Sequence, residues 1–308
     1  MKVLISEFMD EAALKGFGPA DQVHYAPGLV DDPEGLSAAV ADVDALIVRN
    51  RTQVNDALLR SAKALKVVGR LGVGLDNIDL DACKARGIAV CPATGANTVS
   101  VAEYVIAVSL QLLRGAYASN EAMLAGTWPR GSLIGREVSG RCMALWGFGG
   151  IAQAVAERAR ALGMEIAAYD PFLPDHAEVW RSAARCVSPQ ELLSRADVLS
   201  LHVPLTDETR GMVNADTLSL LPEGAIVVNT ARGGVVDEAA LAAALKSGHL
   251  GGAALDVFET EPLTAAAVFE GVPNLILTPH IAGVTLEANE RVSAVTVENV
   301  KQVLSHAR

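Results

Sequence analysis

Two series of short apolar runs alternate with helical stretches along the chain. The first comprises Val3-Leu4-Ile5, Ala45 to Val48, Val67-Val68 and Ile88 to Val90. The second comprises Cys142 to Trp146, Glu165 to Tyr169, Val198 to Leu201, Ala225 to Val228, Ala253 to Leu255 and Leu275 to Leu277. Runs this short, with few polar interruptions, suit strands buried on both faces, and the intervals between them leave room for crossover helices. They predict an α/β protein built on parallel sheet. Helix starts are legible as well. Ser100-Val101-Ala102-Glu103 and Ser188-Pro189-Gln190-Glu191 read as capping boxes, and Asp237 as the cap of an alanine-rich helix stopped by Gly248. The first of these opens a long apolar helix to about Arg114, and a closing helix is predicted from about Val284 to Ser305. The two series predict two domains, 1–98 plus 284–308 and 99–283, linked twice and separated by a cleft.

Between the first strand of the second series and its helix stands Gly147-Phe148-Gly149-Gly150, with Ile151 opening the helix. Such a turn presents backbone N–H groups and the positive end of a helix dipole, a site suited to a pyrophosphate. A third glycine is expected where the chain has Ala152, which costs one methyl of clearance between helix and strand. The next strand ends at Asp170, about twenty residues beyond the glycines, where a carboxylate would hold the ribose hydroxyls of an adenosine. That carboxylate would repel a 2'-phosphate and Pro171 to Pro174 contain no arginine to receive one, so the cofactor expected is NAD rather than NADP. The bland alternative is that Asp170 only ends a strand and starts a turn. With the dinucleotide reading, the fold becomes two Rossmann-like doubly wound parallel-sheet domains separated by a cleft.

Charge narrows the partners. A net charge of -11 and a pI near 5.0, without a basic stripe, argue against a nucleic-acid partner and for a small molecule. Met1 to Glu7 is too short an apolar run for a signal peptide, and no uncharged stretch approaches membrane-spanning length, so no membrane partner and a cytoplasmic location are expected. Cys83, Cys91, Cys142 and Cys186 show neither a Cys-x-x-Cys pair nor ligand spacing; they read as reduced thiols, and no metal site is expected.

Functional groups in open parallel sheets lie beyond the carboxyl ends of the strands. In the second series those ends are His202-Val203-Pro204, Asn229-Thr230-Ala231-Arg232, Asp256 and Thr278-Pro279-His280, with Glu261 fixed ahead of Pro262. An arginine, a carboxylate and a histidine suit hydride transfer to a 2-keto acid. Arginine grips a planar carboxylate with two parallel hydrogen bonds, histidine delivers and retakes a proton near neutral pH, and a neighbouring carboxylate orients the ring. Arg232 is therefore assigned to substrate anchoring, His280 to acid–base catalysis and Glu261 to holding His280. Separately, each could be a surface-turn arginine, a capping glutamate or a strand-terminal histidine.

These residues also carry a resemblance. Gly69 to Asp79, Gly95 to Glu103, His202 to Thr206, Asn229 to Gly234 and Thr278 to Gly283 resemble, in order, the motifs of the NAD-dependent D-2-hydroxyacid dehydrogenases, the group that contains phosphoglycerate dehydrogenase, formate dehydrogenase and glyoxylate reductase. The resemblance implies that Arg232, Glu261 and His280 are the catalytic set and that Thr230 and Asp256 contact the nicotinamide end. It makes 99–283 the NAD-binding domain, 1–98 plus 284–308 the substrate-binding (catalytic) domain, and the protein a homodimer through its cofactor domains. The cofactor set drawn from turn, strand ends and resemblance is Gly147, Phe148, Gly149, Gly150, Ile151, Asp170, His202, Val203, Pro204, Thr230, Ala231, Asp256, His280 and Gly283. The departures are Ala152 and Trp146.

In such proteins the substrate is held by first-domain loops, here Val48 to Thr52 and Gly72 to Gly74, and the backbone N–H groups of Val73 and Gly74 would take one carboxylate. Arg49, Asn50 and Arg51, with Arg70 near in sequence, bring more positive charge than a neutral side chain needs, so a second anionic group is expected on the substrate. Alternation along an extended segment would put Arg49 and Arg51 on one side, and an ordinary surface ion pair is the competing reading. Ile5 to Ala13, Val48 to Thr52 and Gly233 to Asp237 are similar to the (S)-sulfolactate dehydrogenase subfamily, with 3-phosphoglycerate, hydroxypyruvate and glyoxylate as alternatives. Two other classes share this fold: an NAD-sensing corepressor-like binding protein, and a hydrolase with a recycled NAD, whose lysine and aspartate machinery these loops lack.

Overall fold

The computed structural model describes residues 1–264 and 267–306. Contacts divide the chain into Met1–Asn97 with Val284–Arg308, and Thr98–Gly283. The first unit holds five parallel strands, β1 (Lys2–Ile5), β2 (Gln22–Tyr25), β3 (Ala45–Val48), β4 (Val67–Arg70) and β5 (Ala89–Pro92), in the order β2-β1-β3-β4-β5. Between its strands lie α1 (Pro33–Ala39), α2 (Asp56–Ser61) and α3 (Leu80–Ala85). The second unit opens with α4 (Thr98–Arg114) and α5 (Asn120–Leu124). Seven parallel strands follow: β6 (Cys142–Trp146), β7 (Glu165–Tyr169), β8 (Ala184–Arg185), β9 (Val198–Leu201), β10 (Ala225–Asn229), β11 (Leu250–Leu255) and β12 (Leu275–Leu277). Their order is β12-β11-β10-β9-β6-β7-β8. Helices α6 (Gly150–Ala161), α7 (Pro189–Ser194), α8 (Ala215–Leu218) and α9 (Glu238–Lys246) connect them, and α10 (Leu286–His306) returns to the first unit.

The apolar runs are strands with both faces buried. Along β6, Cys142, Ala144 and Trp146 enter one core while Met143 and Leu145 enter the other. In the first unit Leu46 and Val48 face one core, Ala45 and Ile47 the second. That alternation is the period-2 geometry of a strand. The second core of unit one is closed by Val292, Val297, Val300 and Leu304 of α10. Gly69 in β4 makes room for them: a Cβ there would lie 2.7 Å from Val300 Cγ2 and 2.9 Å from Thr296 Cγ2.

Some local expectations are met and others change. Asp237 caps α9 through Ala240 N at 2.9 Å, and Ser188 caps α7 through Glu191 N at 3.2 Å. Glu191 reaches back to Val187 N at 2.8 Å, one residue beyond the box position. Ser100 is no cap: α4 already begins at Thr98, and Ser100 is buried inside its first turn. Two edge strands, β2 and β8, were not expected. β2 exposes Gln22 and His24, and β8 has only two residues, so neither shows the apolar run of a central strand. Among the described residues no helix is long and apolar enough to cross a membrane.

Candidate active site

Chain order diverges on the two sides of β6, between β7 and β9, and a doubly wound sheet has its crevice beyond the strand ends at such a point. Gly147 occupies it with φ 86, and a Cβ there would stand 2.4 Å from the His202 carbonyl oxygen. Only glycine lets this turn pass the end of β9. Gly149 and Gly150 are different, since an added Cβ would meet nothing within 4 Å at either. Gly149 caps α6 without a side-chain acceptor, so no side-chain cap covers the first-turn N–H groups, that of Ile151 among them.

Asp170, at the end of β7, accepts from Phe148 N and from Phe172 N, both at 2.9 Å. The Phe148 N–H is thus given to Asp170, and its ring is buried, stacked on Trp180 at 5.4 Å and 14°. Of this predicted contact residue, only backbone borders the turn. Ala152 is fully buried with Ala156 and Ala159, so its methyl is part of the core. His202 N donates to Trp146 O at 2.8 Å, and the ring Nε2 lies 2.9 Å from Ser200 Oγ. Burial pushes the His202 imidazole down to about 4, leaving it neutral. Val203 is half-buried and Pro204 exposed. Thr230 Oγ1 is buried without a hydrogen-bond partner among the described residues. A buried hydroxyl left that way costs about 1–3 kcal/mol unless a ligand satisfies it. Open glycines at a helix start, a fixed carboxylate just beyond the next strand and an orphaned hydroxyl just beyond β10 are groups that fit a dinucleotide.

The catalytic candidates follow β10, β11 and β12, whose register aligns Asn229 with Leu255 and Leu255 with Leu277. After β10, buried Asn229 accepts from Ala231 N at 3.0 Å and donates to Arg232 O at 2.9 Å, shaping the loop that carries Arg232. That loop lies flush against the one after β11: a Cβ on Gly233 would be 1.7 Å from Phe258 O. Phe258 N in turn donates to Glu261 Oε1 at 3.0 Å, and Glu261 Oε2 lies 2.8 Å from His280 Nδ1. His280 has φ 56, a left-handed conformation that costs a non-glycine residue about 1–2 kcal/mol. Buried Asp256 holds it there. Its backbone oxygen accepts from His280 N at 2.8 Å, while its carboxylate accepts from Thr278 Oγ1 at 2.6 Å, Ile281 N at 2.8 Å and Ala282 N at 2.7 Å. With Nδ1 committed to Glu261, the ring has Nε2 left for a reacting oxygen. Gly283, on the same segment, is half-buried.

In the first unit the order turns between β1 and β3, and buried Glu7 fills that point. Its carboxylate accepts from Arg49 N at 2.8 Å, Thr52 N at 2.9 Å and Arg51 N at 3.1 Å. Asn77 Nδ2 donates to Thr52 O at 2.7 Å and Arg49 O at 3.3 Å, so the loop is gripped by both its N–H and C=O groups. Its two arginines diverge. Arg51 is exposed and ion-paired to Asp31, the ordinary surface reading rather than a shared side with Arg49. Arg49 is half-buried, donates to Asn289 Oδ1 at 3.0 Å and lies 5.8 Å from the centre of the Phe8 ring, and burial lowers its pKa. Asn50 is exposed, as is Val73, and Gly74 is half-buried. Arg70 donates to Leu71 O at 2.7 Å and passes so near Gly72, at φ 141, that a Cβ there would overlap its guanidinium. Glu7 and Asn77 were not singled out from sequence; for Glu7 the available signal was a polar residue close beyond the apolar run of β1. Among the described residues no group of His, Cys, Asp or Glu could hold a metal ion.

The second unit and its strand-end set define an NAD-dependent oxidoreductase. Residues 106–282 match the family model for the D-isomer specific 2-hydroxyacid dehydrogenase, NAD binding domain. The chain belongs to that family, as an NAD-dependent 2-hydroxyacid dehydrogenase. It is 54% identical over 302 residues to an (S)-sulfolactate dehydrogenase of Chromohalobacter salexigens, covering 98% of each chain. It is 40% identical over 303 residues to a D-3-phosphoglycerate dehydrogenase of Mycobacterium tuberculosis, covering 98% of this chain but 57% of that longer one. Among solved structures, a glyoxylate reductase from Paecilomyes thermophila superposes with a TM-score of 0.88 at 30% identity, covering 100% of this chain and 96% of the other.

Proposed function

We propose that the substrate is a 2-hydroxy acid carrying a second anionic group, with sulfolactate, oxidised to sulfopyruvate, as the best fit. Arg49 carries this reading. It is a half-buried cation that donates to a neutral amide and lies over an aromatic ring, and the one carboxylate acting on it, that of Glu7, is already shared among three backbone N–H groups. A desolvated guanidinium in that setting gains most from an added anion. The 54% identity to a sulfolactate dehydrogenase over nearly the whole chain supports the same choice. The Val73 and Gly74 N–H groups are donors suited to the substrate's carboxylate.

When bound, the nicotinamide cofactor would be the hydride acceptor as NAD and the hydride donor as NADH. In oxidation, His280 Nε2 takes the C2 hydroxyl proton as the carbonyl forms, and in reduction it returns that proton to the developing alkoxide. Glu261, at 2.8 Å from Nδ1, keeps the ring aimed. Arg232 polarises the carbonyl next to the carboxylate it grips. Asp170 takes the adenosine ribose hydroxyls, and the turn at Gly149, Gly150 and Ile151 takes the pyrophosphate.

The test is NADH oxidation with sulfopyruvate, phosphohydroxypyruvate, hydroxypyruvate, glyoxylate and pyruvate, run on the wild type and Arg49→Gln. Sulfopyruvate is expected to give the highest kcat/KM, and the substitution to lower it at least 30-fold while changing pyruvate less than threefold. Equal losses for both acids would remove the second-anion reading, and preference for phosphohydroxypyruvate would replace sulfonate by phosphate. The protein is further proposed to be a cytoplasmic homodimer formed through its cofactor domain. The location is supported by its four free cysteines, and the dimer by the apolar side chains exposed between residues 117 and 134.

A further inference from the structure

We infer that Tyr104 is a positioning residue for His280, acting through a relay of two hydroxyls that ends on Asp256. Tyr104 is half-buried on α4 and places its hydroxyl 2.6 Å from Thr278 Oγ1, which lies 2.6 Å from Asp256 Oδ1. Asp256 receives a hydroxyl and two backbone N–H groups, so it acts as an acceptor at every one of these contacts. The single proton of Thr278 is therefore committed to Asp256, and the remaining bond must run from the Tyr104 O–H to Thr278 Oγ1. Burial raises the Tyr104 pKa, so the phenol keeps this proton well into the alkaline range.

The relay has a definite output. Asp256 grips the N–H groups of Ile281 and Ala282 and, through its backbone oxygen, that of His280, and these bonds hold His280 at φ 56. Donors in series strengthen one another, so each hydroxyl fixes the next group more firmly than it would alone. Without the Tyr104 hydroxyl, Thr278 loses the donor that fixes its Oγ1, Asp256 is held less firmly, and the turn carrying His280 relaxes toward ordinary backbone angles. Nε2 then lies off the line to the C2 oxygen. Tyr104 adds no group to the glycine turn or to Asp170, so cofactor binding is affected only through Asp256 and changes less than the alignment of His280.

This inference rests on the role proposed for His280. Tyr104→Phe keeps the ring and its packing, Thr278→Ser keeps the second hydroxyl, and Thr278→Val removes it. Steady-state kinetics with the best keto acid, NADH affinity and Tm are measured for each, with His280→Ala alongside. Tyr104→Phe and Thr278→Val are each expected to lower kcat about 5- to 20-fold, with the KM for the keto acid within twofold, the Kd for NADH changed less than kcat and Tm nearly unchanged. Thr278→Ser is expected to match the wild type, and the double variant Tyr104→Phe, Thr278→Val to be no slower than Thr278→Val. Wild-type kcat in Tyr104→Phe, losses that multiply in the double variant, or a fall in kcat matched by lost NADH binding or stability would overturn the relay alone. Full turnover in His280→Ala would overturn the role of His280 and the relay with it.

Discussion

His202 and His280 both stand directly after a strand, yet they meet opposite demands. The ring of His280 is 43% exposed and tethered to Glu261 by Nδ1, as the proton carrier proposed for it must be. His202 is pressed against Ser200 and kept neutral by burial, with its pKa down to about 4. That depression sets a sign. Between pH 6.5 and 4 the unfolded chain takes up a proton at His202 that the folded chain refuses, so stability is lost as pH falls through this window and is intact above it. At about 1.4 kcal/mol per pH unit, the loss approaches about 3 kcal/mol by pH 4. His202→Gln keeps a hydrogen-bonding group toward Ser200 but cannot titrate. Urea unfolding at pH 6.5, 5.5 and 4.5 is expected to show a shallower fall in stability for the variant. Superimposable pH dependences would show that His202 is not desolvated. The sequence places both histidines at strand ends and cannot tell them apart, because the difference lies in what packs around each ring after folding.

The glycine turn shows how one element divides its residues between architecture and ligand. Gly147 is required by the chain itself, since a side chain there would strike the backbone of His202. Gly149 has open space around its Cβ direction and an extended backbone that any residue adopts. Gly149→Ala is therefore expected to leave Tm within about 2 °C, since surface changes without contacts alter stability little. If the open space serves a pyrophosphate, NADH affinity measured by fluorescence titration falls at least tenfold. Unchanged affinity would move the pyrophosphate elsewhere. At this scale the central strands were readable because burial on both faces writes an unbroken apolar run, whereas β2 and β8, at sheet edges, write none. Ser100 misled because Ser-x-x-Glu also fits a helix interior with a buried serine and an exposed glutamate. The positions of Arg232 and His280 beyond β10 and β12, and the contact of Glu261 with His280, were legible because strand ends confine polar groups to a few positions. Glu7, Asn77 and Tyr104 were not, because their partners are fixed by sheet order and register, which local sequence does not encode.

Across the whole molecule, exposed apolar side chains gather in one stretch of the second unit. Tyr117 is 68% exposed, Leu124 89%, Trp128 77% and Ile134 83%. Exposed aromatic and aliphatic groups of this kind support the proposed dimer surface. Replacing Leu124 and Trp128 together by aspartate is expected to shift elution from twice the chain mass to the 32.1 kDa monomer in light-scattering chromatography. A wild type that already elutes as the monomer would remove the homodimer.

The return of α10 to the first unit also has a consequence for synthesis. The last strand of the first sheet, β5, ends at Pro92, yet Val292, Val297, Val300 and Leu304, which close one of its cores, are translated only after the entire second unit. At ribosomal rates of about 5–20 residues per second, that sheet waits roughly 10 to 40 s with part of its apolar face bare. Asn289, the partner of Arg49, arrives in the same final helix. The unit that is begun first is finished last, so a nascent chain halted before Leu286 would join a complete nucleotide-binding unit to an adhesive, half-covered one.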